Sequence, residues 1–122
     1  MKKHPVLDAL RKASKGLTFT SETDAKLEPF VWQDDKLTRE SVLRHAGAEA
    51  GTTVEQVTLD AFFRAVPRED RPKFDDLLSV LREQLSGAKV YKVGGEAEKA
   101  AYVVGKTEDG QLAGVKTTVV ET

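Results

Sequence analysis

The stretch "AAYVVGKTEDGQLAGVKTTVVE", residues 100–121, decides the fold. Its two arms are rich in valine and other β-branched residues, which suit a pleated, half-buried surface. Between them, Glu108-Asp109-Gly110 is short enough to close a hairpin, and Gly110 can take the positive φ that such a connection needs. Strands are therefore expected over 100–107 and 112–121. A third, "AKVYKVG" (88–94), precedes them, separated only by "GEAEK" (95–99). The three together read as an antiparallel meander.

Upstream, the pattern changes from period two to helical. Phe74, Leu77, Leu78, Leu81 and Leu85 recur at the i, i+3, i+4, i+7 spacing of one helix face, which predicts a helix over 72–86. Pro72 sits near its first position, Asp75 and Asp76 lie in its first turn, and Gly87 is expected to end it. "PREDRP" (67–72) is bracketed by prolines and reads as an exposed connector. "VEQVTLD" (54–60) is expected to be a strand, with Asp60 capping a short helical turn through "AFFRAV". "LTRESVLRHAG" (37–47) is a short helix with Thr38 as cap and Gly47 as stop. "EPFVWQ" (28–33) reads as a strand that tolerates Pro29 near its start and buries Trp32. "SETDAK" (21–26) reads as a polar loop, "LTFT" (17–20) as a short β-prone piece. A first helix over 5–15 carries Val6, Leu7, Leu10 and Ala13 on one stripe and stops at Gly16. Helices early and in the middle, with strands late, give an α+β fold: helices packed on a mostly antiparallel sheet.

With 122 residues the expectation is one domain, 1–122. The net charge of -1 is too balanced for a general nucleic-acid binder, which needs a basic face to neutralise phosphates. With no cysteine there are no disulfides, thiolate nucleophiles or zinc–thiolate sites, as fits a reducing compartment. The N-terminal "MKKHPVLDALRKASKG" has no apolar core of a signal peptide, and no apolar run approaches the ~18 residues of a membrane span. The expected location is the cytoplasm.

Little in the chain can do catalysis. His4 and His45 have no ligand partner at metal spacing and read as surface histidines. "VGKT" (104–107) lacks the earlier Walker glycine and the following helix, so Gly105 reads as a strand glycine. Ser14, Ser21, Ser41, Ser79 and Ser86 lie in no nucleophile-elbow context. The acids sit in loops expected to be exposed, where carboxyls keep ordinary pKa values and make poor general acids. The chain is therefore expected not to be an enzyme and to need no cofactor. Recognition remains, and the loop acids are its candidates: Glu22, Asp24 and Glu121, with Asp34, Asp35, Glu69 and Asp70 read from the residues alone as ordinary solvated surface.

Several stretches together resemble the nuclease A inhibitor family. They are "ALRKASKGLTFTSETD" (9–24), "PFVW" (29–32), "VEQVTLDAFFR" (54–64), "VYKVG" (90–94) and "VVGKTEDGQLAGVKTTVVET" (103–122). The resemblance covers nearly the whole chain. It implies a three-layer α/β/α sandwich. It also implies a non-catalytic inhibitor that plugs the active site of a sugar-non-specific DNA/RNA endonuclease using one divalent metal, typically Mg²⁺, in a ββα-metal site. By this resemblance Glu22 matches an inhibitory glutamate, and Thr122 matches the terminal residue whose carboxylate approaches the nuclease metal. The chain would hold no metal of its own. Its partner would be a cognate metal-dependent nuclease, bound one to one, with neither nucleic acid nor membrane as a direct partner. A hard cation ringed by arginines is built for phosphate oxygens, and carboxylates satisfy both. One departure stands out. The region "AVPREDRPKF" (65–74) is shorter than the family's extended loop and has no tryptophan, so Glu69 and Asp70 match that loop by position only. The alternative reading is an interaction module of the same fold with a different partner.

Overall fold

A computed structural model describes residues 5–20, 24–33, 36–49, 51–64, 66, 68–95 and 98–120. Among them, four helices accompany a five-stranded antiparallel sheet and a separate two-stranded hairpin. The helices are α1 (Pro5–Ser14), α2 (Arg39–Ala46), α3 (Leu59–Arg64) and α4 (Arg71–Gln84). The hairpin is β1 (Thr18–Thr20) with β2 (Asp24–Lys26). The sheet has the order β3-β7-β6-β5-β4, from β3 (Glu28–Trp32), β4 (Val54–Val57), β5 (Ser86–Gly94), β6 (Glu98–Lys106) and β7 (Leu112–Val120).

The meander expected from the sequence is the centre of this sheet. β6 and β7 pair in unbroken register from Glu98↔Val120 to Lys106↔Leu112. Their turn closes as the residue pattern requires: the amide of Thr107 donates to the Gln111 carbonyl at 2.8 Å, and Gly110 adopts φ 83°. β6 is apolar on both sides, and the consequence is cover on both faces. Ala101 and Val103 face Leu10, Phe62, Phe63, Phe74, Leu77 and Leu81 from α1, α3 and α4. Tyr102 and Val104 face Trp32 and the α2 residues Val42 and Leu43. Period-two alternation thus sorts one continuous apolar run into two cores. Trp32 is buried, as expected, and stacks between Phe30 at 4.5 Å and His45 at 4.1 Å. His45 is a surface residue that lays one ring face on that tryptophan.

Local signals behave as their chemistry dictates at α2. Thr38 and Ser41 form a reciprocal capping box, and Gly47 ends the helix at φ 67°. Three boundaries differ from expectation. Residues 24–26, expected in a loop, pair with 18–20 in an antiparallel register from Thr18↔Lys26 to Thr20↔Asp24. α3 begins at Leu59, and its cap is Thr58, whose hydroxyl accepts from the amide of Ala61 at 3.1 Å. Asp60 is instead paired with Arg82 at 2.6 Å. α4 stops at Gln84, not at Gly87; Gly87, with φ 60°, lies inside β5 where the β5–β6 register shifts between Ser86 and Lys89. A left-handed glycine at a bulge is as compatible with a strand as with a helix end.

The hairpin's position follows from β7 outrunning β3. β3 pairs with Lys116 through Leu112 only, in the register Glu28↔Lys116 to Trp32↔Leu112. Beyond Lys116 the hairpin packs beside β7, and the buried Thr117 donates its hydroxyl to the carbonyl of Ala25 at 3.4 Å. Lys116 also reaches Glu28 at 3.6 Å, tying down the start of β3.

Two stability predictions follow from this packing. A methyl on Gly114 would overlap the carbonyl of Val103 on β6, so Gly114→Ala must shift the backbone of the central ladder. Overpacking of this kind costs about 3 kcal/mol, whereas Gly51→Ala, which meets nothing, should change urea unfolding by less than about 0.5 kcal/mol. Thr117→Val removes the hydroxyl under Ala25 at a cost of about 1 kcal/mol. Hydrogen exchange should then rise at Thr18–Lys26 while the β6–β7 amides keep their protection.

Candidate partner-binding site

Strand direction decides which loops share an end of the sheet. β7 finishes, and β6 begins, at the end where Glu98 pairs with Val120. At that same end β3 begins with Glu28, and β4 begins with Val54 opposite Val93. The hairpin runs toward it too: its base is Thr18↔Lys26 and its last pair is Thr20↔Asp24. With Ala25 beside Thr117, the segment after Thr20 and the segment after Val120 leave the described chain on the same side. Glu22 and Thr122 lie in those two segments, outside the described residues, as does Glu121. Asp24 is described in its backbone alone, as the first residue of β2.

The connection between α3 and α4 comes to this end as well. α3 starts just after Val57, at the opposite end of the sheet, and α4 returns there to lead into β5. The intervening segment, expected to be an exposed connector, holds a 3-10 turn, Arg68–Asp70, with no buried residue. Glu69 is exposed on that turn. Asp70 borders a small cleft shared with Gly16, Leu17 and Thr18 at the base of the hairpin, and it pairs with Lys73 at 3.3 Å. Both partners are partly exposed, so the pair is worth little in stability. It does engage one of the two acids of this turn.

Arg71 holds the connector closed. Its guanidinium donates from Nη2 to the carbonyl of Arg64 at 2.9 Å and from Nε to that of Val66 at 3.2 Å. One rigid fork thus satisfies two carbonyls around the end of α3, which a short loop cannot satisfy from its own amides. Sequence reasoning missed Arg71 and Thr117 as positioning residues. Their residue types are ordinary for a charged connector and a strand, so nothing local marks them. Asp34 and Asp35, read as plain surface, fall outside the described residues.

Among the described residues the displaced titrations are those of Tyr91 and Tyr102, both raised by burial, with Lys116 pulling Tyr102 partly back. A phenol held above its usual range stays protonated at neutral pH and is no general base. Among the described residues no group of His, Asp and Glu gathers at metal-binding spacing. Among them, too, no helix is long and apolar enough to cross a membrane.

The family model described as nuclease A inhibitor-like protein matches residues 4–122 of the chain. No curated protein matches the sequence. With nearly the whole length matched, this chain belongs to the nuclease A inhibitor-like family.

Proposed function

We propose that the protein is a non-catalytic, one-to-one inhibitor of a metal-dependent, sugar-non-specific nuclease. In this reading it plugs the active site with Glu22 and the carboxylate of Thr122. Asp24 and Glu121 flank them, and Glu69 and Asp70 form the edge of the contact. The observation that supports the reading is the seating of the hairpin beside β7: the described chain stops before Glu22 and before Glu121 toward the same end of the sheet. Family membership supplies the partner class. The chemistry is substitution: a hard cation and arginine forks that await phosphodiester oxygens meet carboxylate oxygens joined by bonds the nuclease cannot cut. A single three-layer α/β/α domain spanning 1–122 would hold these groups. The two apolar clusters on opposite faces of the sheet support that architecture. The absence of cysteine suits action in the reducing cytoplasm.

Arg71 ties the carbonyls of Arg64 and Val66 to the start of α4, which supports a contribution of Glu69 and Asp70 limited to the edge of the interface. Rim charges mainly alter association rate, whereas losing one member of a desolvated charge pair costs about 2–5 kcal/mol.

The expected outcomes separate these roles. Glu22→Ala should weaken inhibition of a Mg²⁺-dependent non-specific nuclease at least about 30-fold, through faster dissociation. Adding two glycines after Thr122 should weaken it comparably. Glu69→Ala should change affinity less than about 3-fold. Undiminished inhibition by the extended chain would remove the terminal carboxylate from the mechanism. Failure to inhibit any such nuclease would favour an interaction module with another partner.

A further inference from the structure

The hairpin that carries Glu22 differs in charge between its two ends. Its base opens onto a groove of about 510 Å³ between the C-terminal end of α1 and the start of β3. Leu17, Leu27 and Pro29 give the groove apolar surface, and its charged lining residues are Arg11, Lys15 and Lys26. No carboxylate lines it. All three cations are exposed, and none forms an ion pair with a described residue. The negative end of α1 explains a preference for Arg11 and Lys15 nearby. It amounts to about half a charge, though, and does not account for Lys26, which comes from a different element.

We propose that this groove receives an acidic segment of the same protein whose active centre the hairpin tip enters. The inference rests on the inhibitory reading and extends it to orientation. Lys26 follows Glu22 by four positions, so the chain lets the two lie at most about 14 Å apart. A matching partner must therefore carry a cationic centre and an anionic strip within about that distance. Complementary charges at a fixed spacing set register and reject a reversed approach, in which each charge would meet its like. The apolar surface beneath the cations suits a segment in which acids alternate with aliphatic side chains. A bare anion would leave Leu17 and Pro29 uncovered.

The test titrates the full chain with the capped hexapeptide Glu-Leu-Glu-Leu-Glu-Leu, read by amide chemical shifts. Saturable shifts are expected at Arg11–Thr18 and at Lys26 and Leu27. The affinity should fall at least about 10-fold in Lys15→Glu/Lys26→Glu, whose unchanged β5–β7 shifts would report an intact fold. Shifts confined to other surfaces, or an unaltered affinity in the double variant, would overturn the proposal. So would saturation of the same amides by inorganic phosphate at equal affinity, which would make the groove a free-anion site. No nuclease enters this titration, so its failure is distinct from a failure to inhibit. A chain that inhibits but ignores the peptide loses only the groove, and one that binds the peptide but does not inhibit loses only the inhibitory reading.

Discussion

The pairing of β6 with β7 is the constraint on which the remainder depends. Nine residues of each strand stay in register, and Gly114 brings the two backbones closer than any side chain would allow. Because β6 is apolar on both faces, this ladder cannot stand with one side in water. It requires α1, α3 and α4 on one face and α2 on the other. The same ladder fixes where β7 ends. Pairing over its full length gives β7 a definite direction as far as Val120.

Positioning the second acidic segment takes a different device. β3 covers only the first part of β7, and the space left beyond Lys116 is where β1 and β2 lie. Among the described residues, the Thr117 hydroxyl bonded to the Ala25 carbonyl and the buried Leu27 connect that hairpin to the sheet. The hydrogen bond is a modest interaction, of the order of 1 kcal/mol. The strong part of the molecule aims the C-terminal strand, and the weaker part aims the hairpin. A partner that contacts both would tighten the second against the first.

Most of the fold was legible in the sequence, and the reasons are local. The β-branched arms around Glu108-Asp109-Gly110 marked the central hairpin, the leucine spacing marked α4, and Thr38 with Gly47 bounded α2. What could not be read depended on partners distant in sequence. Asp60 looked like a cap and is a partner of Arg82. Gly87 looked like a helix stop and sits at a bulge, between the β5 residues Ser86 and Lys89 that pair with β6. The strand character of 24–26 exists only because 18–20 lies beside it. The candidate site shows the same division. Its acids were visible as residue types in loops, and Glu22 and Thr122 came through family resemblance. The shared end of the sheet, the Arg71 clasp and the basic groove belong to the tertiary structure alone.

The central claim is that one end of the sheet, carrying the hairpin tip and the end of β7, faces a nuclease metal. The most direct measurement places Mn²⁺ in the nuclease of a one-to-one complex and reads paramagnetic relaxation of this chain's amides. The account predicts the strongest broadening at residues 20–24 and 118–122, with weaker broadening at 68–70 and none at the opposite turn, Glu108–Gly110. Broadening centred on that opposite turn, or a complex in which residues 20–24 and 118–122 stay sharp, would contradict it.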